Sequence, residues 1–343
     1  MRILVTGATG FVGAHTAAAL TRDGHQVRAL VRSPERLPTA LGPLGVTGIE
    51  HLTGDCRDPV AVDAALEGCD AVVSVATVFT WAAREQRHLV ETNRALAEVV
   101  LTRAVERGLD PVVHVSSYVA LDLRHGPIGE QSPVASSKVG YSASKAAQEM
   151  IARRLQDDGA PVVIVYPGAV LGPHDPYLGE SNALALSLVQ PRRPQVLPGT
   201  LPCVDVRDVA AIHAAVLEPG GGPRRFMATG HDLDLDQLAR GLAEAAGLPI
   251  RPVHVPRWAF RAVGRGMDLV AALTPLAPSG SSHAVEVVLG HAGVASNRAA
   301  VELGVGYRRL EETLGDTVAW LREAGHLTRT PDRAHRLVRA RTS

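Results

Sequence analysis

Cysteine is scarce in this 343-residue chain, and the three present, Cys56, Cys69 and Cys203, form neither a disulfide framework nor a zinc-ligand pattern. They fit reduced side chains of a cytoplasmic protein. Net charge is missing too: 35 basic residues balance 35 acidic ones, so no global field recruits nucleic acid or an anionic membrane. Long apolar runs are absent; the nearest, Leu269 to Pro278, is too short to span a bilayer. Gly7 and Gly10 interrupt the first apolar run before a secretory core forms. Fourteen histidines make no ligand cluster such as His-Glu-x-x-His, so no metal is expected. There is no internal repeat.

What is present is a 46% hydrophobic sequence, long enough for one large or two closely joined domains. Short β-branched runs alternate with helical patterns through residue 170, which predicts parallel strands joined by crossover helices. The runs are Arg2–Thr6, Gln26–Val31, Thr47–Leu52, Ala71–Val75, Pro111–Val115 and Val162–Tyr166. Several are apolar almost without alternation, as in a sheet covered on both faces. Helices are expected over Glu85–Arg107 and Tyr141–Asp157, with Gly24, Gly68, Gly108 and Gly159 at helix C-caps. Beyond Gly168 the pattern loosens. A short apolar helix is expected near Asn182–Val189, then a strand at Cys203–Val206, a helix at Arg207–Leu217 and a strand at Arg225–Thr229 that returns to the main sheet. Asp232 is expected to begin the cap of a helix over Leu235–Ala246, followed by an extended piece, Ile250–Val255, a helix from Trp258 to Leu273, a loop at Thr274–His283 and a last helix closed by Gly325.

Thr6-Gly7-Ala8-Thr9-Gly10-Phe11-Val12-Gly13 follows the first apolar run and leads into alanine-rich sequence, so it reads as strand, glycine turn and helix. A helix start offers unpaired N–H groups and a positive dipole end, and glycines let a pyrophosphate approach the backbone. The plainer reading is a turn whose glycines only permit close strand–helix packing.

Tyr141 and Lys145 lie four residues apart at the start of a helical pattern, about 40° from one another on the helix surface. A phenol with a reference pKa of about 10 is a poor acid-base group near neutrality, and an adjacent positive charge is expected to lower that value. Ser116 and Ser117 directly follow the run Val112–Val115, at the edge of a parallel sheet where α/β proteins hold ligands. Glycine turn, serine pair and tyrosine helix thus converge on one edge. A hydroxyl that holds a substrate oxygen while Tyr141 exchanges the proton suits hydride chemistry on a carbonyl or alcohol.

The combination TGATGFVG, GDCRDPVAVDAALEGCDAVVSVAT, VVHVSS, YSASK, YPGAVLGP and CVDVRDVAAIHAAVLEP, with a weaker echo in NRAAVELG, resembles the extended short-chain dehydrogenase/reductase family over roughly residues 1–325. The family contains sugar-nucleotide epimerases, dihydroflavonol reductases and hydroxysteroid dehydrogenases. The resemblance implies that Tyr141 is the general acid/base, and that Lys145 lowers its pKa and binds the nicotinamide ribose. It favours Ser117 over Ser116 as the functional hydroxyl, with Ser116 beside the cofactor. Gly7, Thr9, Gly10, Phe11, Val12 and Gly13 would face the cofactor, and Asp55 the adenine amino group. Thr77, Pro167, Gly168 and Val170 would flank the nicotinamide. Asn93 matches a family asparagine but is followed by Arg94-Ala95 rather than Gly-Thr, and a helix-surface residue is an equal reading.

Arg32 stands after the second strand, where an acidic residue would bind both ribose hydroxyls of NAD; its guanidinium suits a 2′-phosphate, with Ser33 and Arg36 assisting. NADP(H) is therefore expected over NAD(H), which remains usable if Arg32 only lies on the adenine face. The expected fold is a doubly wound, mainly parallel Rossmann sheet (residues 1–171 and 203–231) with a smaller C-terminal substrate-binding lobe (172–202 and 232–325) and a basic, frayed tail (326–343). The expected protein is a cytoplasmic homodimer that interconverts a carbonyl and a secondary alcohol on a small, fairly apolar molecule. Val31-Arg32 and the apolar run Leu184–Val189 favour the dihydroflavonol-reductase and hydroxysteroid-dehydrogenase branch of the family. The alternatives are a sugar-nucleotide epimerase or dehydratase with retained NAD, and a non-catalytic NADP(H)-binding sensor.

Overall fold

The β-branched runs become strands buried on both faces: β1 (Arg2–Thr6), β2 (Gln26–Val31), β3 (Glu50–Thr53), β4 (Ala71–Ser74), β5 (Val112–Val115) and β6 (Val162–Pro167). Ala169–Leu171 (β7), Gln195–Val196 (β8) and Thr200–Asp205 (β9) leave that sheet, and Arg224–Ala228 (β10) returns to it. The structure, a computed structural model, describes residues 1–78, 86–124, 126–137, 140–273, 282, 285, 289–290, 293–296 and 298–329. The strand order is β10-β6-β5-β4-β1-β2-β3, with every neighbouring pair parallel. The winding reverses between β1 and β4, and the crevice beyond their C-terminal ends is where such sheets hold ligands.

Helices cover both faces. On one side α1 (Phe11–Arg22), α2 (Leu37–Leu41) and, later in the chain, the helix Val206–Ala215 enclose Val5, Val31, Val113 and Val165. On the other, α3 (Pro59–Leu66), α4 (Gln86–Glu106) and α5 (Gly140–Asp157) enclose Leu4, Val72, Val112 and Ile164. Residues of each strand thus feed alternate cores, which explains runs without polar alternation. Burying each such valine or leucine contributes about 1.5–3 kcal/mol. The predicted helix stops hold: Gly24, Gly68, Gly108, Gly159 and Gly325 all have positive φ.

Along the rest of the chain run the helices α6 (Glu180–Val189), α7 (Val206–Ala215), α8 (Leu235–Ala246), α9 (Arg257–Leu273), α10 (Arg298–Leu303) and α11 (Leu310–Glu323), and a third core gathers α6, α8 and α11. The strand β9 pairs on one side with β7 and on the other with β11 (His231–Asp234) in a three-stranded sheet, and β12 (Val253–His254) pairs with β8. Several expectations shift. The third strand begins at Glu50 rather than Thr47, because Gly48 turns the chain at φ +76°. The strand expected at Cys203–Val206 is Thr200–Asp205 and belongs to the small sheet, since Asp205 ends it by capping α7 through the Arg207 N–H. The cap of α8 is Asp234, with Gln237 completing a capping box, while Asp232 instead accepts from the Val294 N–H. From the apolar run Leu184–Val189, Ala185, Leu188 and Val189 are buried in the third core. The loop predicted at Thr274–His283 lies outside the described residues except Ser282, as does the tail beyond Arg329. Among the described residues no helix is long and apolar enough to cross a membrane.

Candidate functional site

The glycine turn joins β1 to α1. Gly7 takes φ +74°, and the Gly10 N–H closes the turn on the Gly7 carbonyl at 2.9 Å. A Cβ at Gly13 would lie 2.1 Å from the Gly7 carbonyl oxygen, so α1 approaches the turn more closely than any side chain permits. The helix starts at Gly10 without a side-chain cap, leaving its first N–H groups for a ligand. Thr6 fixes the turn against the end of β4, its hydroxyl accepting from the Val75 and Ala76 N–H groups at 3.1 Å each, and the exposed Thr77 follows. Thr9, Phe11 and Val12 are half-buried around the turn. Phe11 stands edge-on to His15, whose Nε2 donates to the Pro173 carbonyl at 3.0 Å. Burial lowers the His15 pKa to about 4, so the ring is neutral there. An uncapped helix start and a cradle that a Cβ would fill fit a pyrophosphate.

On the adenosine side Arg32 is exposed just past β2. Asp55 accepts from the Arg57 N–H at 2.8 Å and from its guanidinium Nη2 at 2.7 Å; that pairing, with a smaller contribution from Arg32, holds its carboxyl below the ordinary range. Arg36 is likewise exposed, four residues further on. Its guanidinium lies 5.8 Å from the centre of the Tyr177 ring, which belongs to the segment leading into α6.

The candidate catalytic groups stand at the end of β5. Lys145 Nζ donates to the Val115 carbonyl at 3.1 Å, and Ser142 donates to the Val119 carbonyl at 2.7 Å. These two bonds pin the first turn of α5 to the segment that contains Ser117. The Lys145 ammonium lies 5.9 Å from the Tyr141 ring centre and is only 3% exposed. Burial lowers its pKa to about 8, against an opposing pull from Glu149. The expected acidification of Tyr141 is not found: burial, then Glu180 and Tyr118, push its phenol pKa above the ordinary tyrosine value. Desolvation exceeds the influence of an ammonium that is bonded to a backbone carbonyl. The phenol is therefore protonated throughout the neutral range.

Ser117, two residues beyond β5, caps the turn Tyr118–Ala120 with its hydroxyl accepting from the Val119 N–H at 3.4 Å, whereas the Ser116 hydroxyl donates inward to Glu149 at 2.7 Å. Pro167 closes β6, the Gly168 N–H reaches the Ala228 carbonyl at 3.0 Å, and Val170 lies half-buried in β7.

Three residues gain importance that their sequence context hid. Asn93 is fully buried rather than a surface group: its Oδ1 accepts from the Val78 N–H at 2.7 Å, and its Nδ2 donates to the Val78 carbonyl and to Ser144 at 2.8 and 2.6 Å. Glu149 is fully buried and accepts from Ser116, Tyr166 and Arg153, the last two at 2.6 Å. Its spacing, four residues after Lys145 and four before Arg153, is the one signal the sequence offered. Glu180 opens α6 close enough to raise the Tyr141 pKa, and its own is raised by burial to about 7.

A doubly wound parallel sheet, a glycine turn at its switch point and a Tyr–Lys pair on the same edge define the class of NAD(P)-dependent dehydrogenases and reductases. The NAD dependent epimerase/dehydratase family matches residues 3–228, and the chain belongs to it. It is similar to "Sterol demethylase protein B" of Methylococcus capsulatus, with 28% identity over 330 residues, 95% of this chain and 99% of the relative. It is also similar to a "Putative dihydroflavonol 4-reductase" of Synechocystis, with 28% identity over 333 residues, 94% of this chain and 95% of the relative. The solved structure titled "Crystal structure of gox2253" superposes with a TM-score of 0.81 at 27% identity, covering 95% of this chain and 99% of that one. The protein is thus an extended short-chain dehydrogenase/reductase, an enzyme that uses a nicotinamide nucleotide.

Proposed function

We propose that this enzyme interconverts a carbonyl and a secondary alcohol on a small, fairly apolar molecule, using NADP(H). The observation that carries the reading is the protonated Tyr141 phenol beside the buried Lys145 ammonium, on an α5 turn pinned to the Ser117 segment. When bound, the nicotinamide supplies or accepts the hydride. In the reducing direction Tyr141 gives its phenolic proton to the carbonyl oxygen as negative charge develops there, and Ser117 donates a hydrogen bond to the same oxygen. Lys145 stabilises the resulting phenolate. In the oxidising direction the same phenolate takes the alcohol proton.

Gly7, Thr9, Gly10, Phe11, Val12 and Gly13 cradle the pyrophosphate in this reading, Asp55 faces the adenine, and Arg32 binds the 2′-phosphate with Arg36 at the rim. Ser116, Thr77, Pro167, Gly168 and Val170 line the nicotinamide end, and Lys145 also holds its ribose. Residues 172–202 and 232–325 shape the substrate side. The names of the sterol and dihydroflavonol relatives support an apolar substrate. The outward surface of α4 and α5, with Met150 64% exposed, supports a homodimer through those helices.

NADPH consumption against a ketone and aldehyde panel tests the reading. Tyr141→Phe should lower turnover by about 10²-fold or more while NADPH still binds. Arg32→Asp should reverse the preference between NADPH and NADH. Tightly held NAD with no net turnover would instead support internal oxidation and reduction of a sugar nucleotide, and binding without any Tyr141-dependent reaction would support a sensor.

A further inference from the structure

Two contacts join the segment between β7 and α6 to the cofactor-binding half of the molecule. The Pro173 carbonyl accepts from His15 Nε2, and the His15 ring meets Phe11 edge-on, 5.3 Å between ring centres. That anchor lies on α1, one turn beyond the glycine turn. Four residues after Pro173, the Tyr177 ring centre lies 5.8 Å from the guanidinium of Arg36, itself four residues past Arg32. The first anchor flanks the pyrophosphate cradle and the second flanks the adenosine side. Residues 173–177 bridge the interval between them, a reach of at most about 14 Å for four extended residues. The chain then turns back, and α6 opens at Glu180 beside the Tyr141 site.

The base of the segment is stiff. The buried Asp175 accepts from the Tyr177 and Gly179 N–H groups at 3.2 and 2.7 Å and from Asn182 Nδ2 at 3.0 Å. Asn182 Nδ2 also donates to the Gly172 carbonyl at 3.2 Å, so the two ends of the segment are tied together. His174 and Leu178 occupy the left-handed region, at φ +62° and +47°, and are the only non-glycine residues with positive φ among the described residues. Such strain persists where the surroundings over-determine the backbone, and it concentrates at ligand clamps. The outer fastening is weaker. Tyr177 is 54% exposed and Arg36 is exposed, and a cation–π contact in that setting contributes little. A stiff segment with a weak outer fastening opens at the fastening.

We propose that residues 172–179 form a strap across the phosphate side of the cofactor cleft, and that Tyr177 and Arg36 are the clasp whose opening sets the rate of cofactor exchange. The inner anchor stays fixed, since His15 is neutral above about pH 4 and its bond to Pro173 holds across the neutral range. The clasp joins a tyrosine ring to a guanidinium and needs no 2′-phosphate, so it acts on NADPH and NADH alike. The strap depends on the use of a nicotinamide nucleotide, not on the proposed reaction or on the NADP(H) preference, which Arg32→Asp tests separately.

Stopped-flow binding and release of NADH and NADPH by the full chain, followed by nicotinamide fluorescence, tests the clasp. In Tyr177→Ala the association and dissociation rates should rise together, about threefold to fivefold for either cofactor, leaving the dissociation constant within about twofold of wild type. Tyr177→Phe keeps the ring and should keep the wild-type rates. Arg36→Ala should speed NADH exchange as much as Tyr177→Ala does, and the double variant should be no faster than either single one. Both side chains are exposed, so an unchanged urea midpoint checks that the variants fold. Unchanged exchange in Tyr177→Ala, or rate increases that multiply in the double variant, would overturn the proposal. So would faster release without faster association, which would make Tyr177 a direct contact of the cofactor. Acceleration confined to NADPH would overturn it too, and would assign Arg36 to the 2′-phosphate alone.

Discussion

Helix α5 carries two buried charges one turn apart, and their surroundings differ. Glu149 is fully buried and takes three hydrogen bonds, from Ser116, Tyr166 and Arg153. Arg153 extends the network to the Ser132 carbonyl at 3.0 Å. Lys145, nearly as well hidden, gives one hydrogen bond among the described residues, to the Val115 carbonyl, and its pKa is lowered to about 8. The first arrangement balances the cost of taking a charge out of water; the second leaves part of it unbalanced. A satisfied buried charge fixes geometry, whereas an under-satisfied one is ready to interact with something that arrives. The same helix thus has a structural half and a reactive half, joined by Ser116, whose neighbour is Ser117.

The largest way to break this contrast is to remove Glu149. Glu149→Ala strips Arg153, Ser116 and Tyr166 of their shared acceptor, and should cost about 3–5 kcal/mol of unfolding free energy in urea titration. Lys145→Met should act in the opposite sense on stability. A pKa moved from 10.5 to about 8 corresponds to about 3 kcal/mol of penalty on the charged form, of which the variant should recover a part, near 1–2 kcal/mol at pH 7, while turnover is lost. The pH dependence fixes the sign. Below about pH 8 both folded and unfolded chains hold the lysine proton, so the penalty is complete. Between 8 and 10.5 the unfolded chain holds more protons, so wild-type stability relative to Lys145→Met should rise across that window. Parallel curves for the two proteins would remove the distinction between the halves.

Much of the sheet was legible because parallel strands buried on both faces leave apolar runs such as Val112–Val115 and Val162–Tyr166, closed by glycine caps. The small sheet was not. Ala169–Leu171, Thr200–Asp205 and His231–Asp234 are short, and their pairing depends on contacts distant in sequence. The glycine turn and the Tyr141–Lys145 spacing announced themselves because their chemistry needs particular residues at particular offsets. Glu149 did not, since a glutamate between Lys145 and Arg153 reads as one member of a solvated i, i+4 row until packing shows it inside.

Glu180 gives the smallest and finest test. An acidic residue in the first turn of a helix is ordinary, which is why nothing marked it in the sequence. In the structure it raises the Tyr141 pKa, and burial places its own pKa at about 7. Its carboxylate therefore forms as the pH passes upward through neutrality, and from there it opposes phenolate formation. Glu180→Gln keeps the shape and removes the charge. The alkaline limb of the rate profile for alcohol oxidation, where phenolate is required, should move to lower pH by about half a unit to one unit, a change of up to about 1.4 kcal/mol. Lys145 titrates in the same region, so its contribution must be held constant by comparing Glu180→Gln with wild type alone. An unshifted limb would show that solvent between the two groups screens Glu180, and that the reactive half of α5 is set by Lys145 and burial without help from α6.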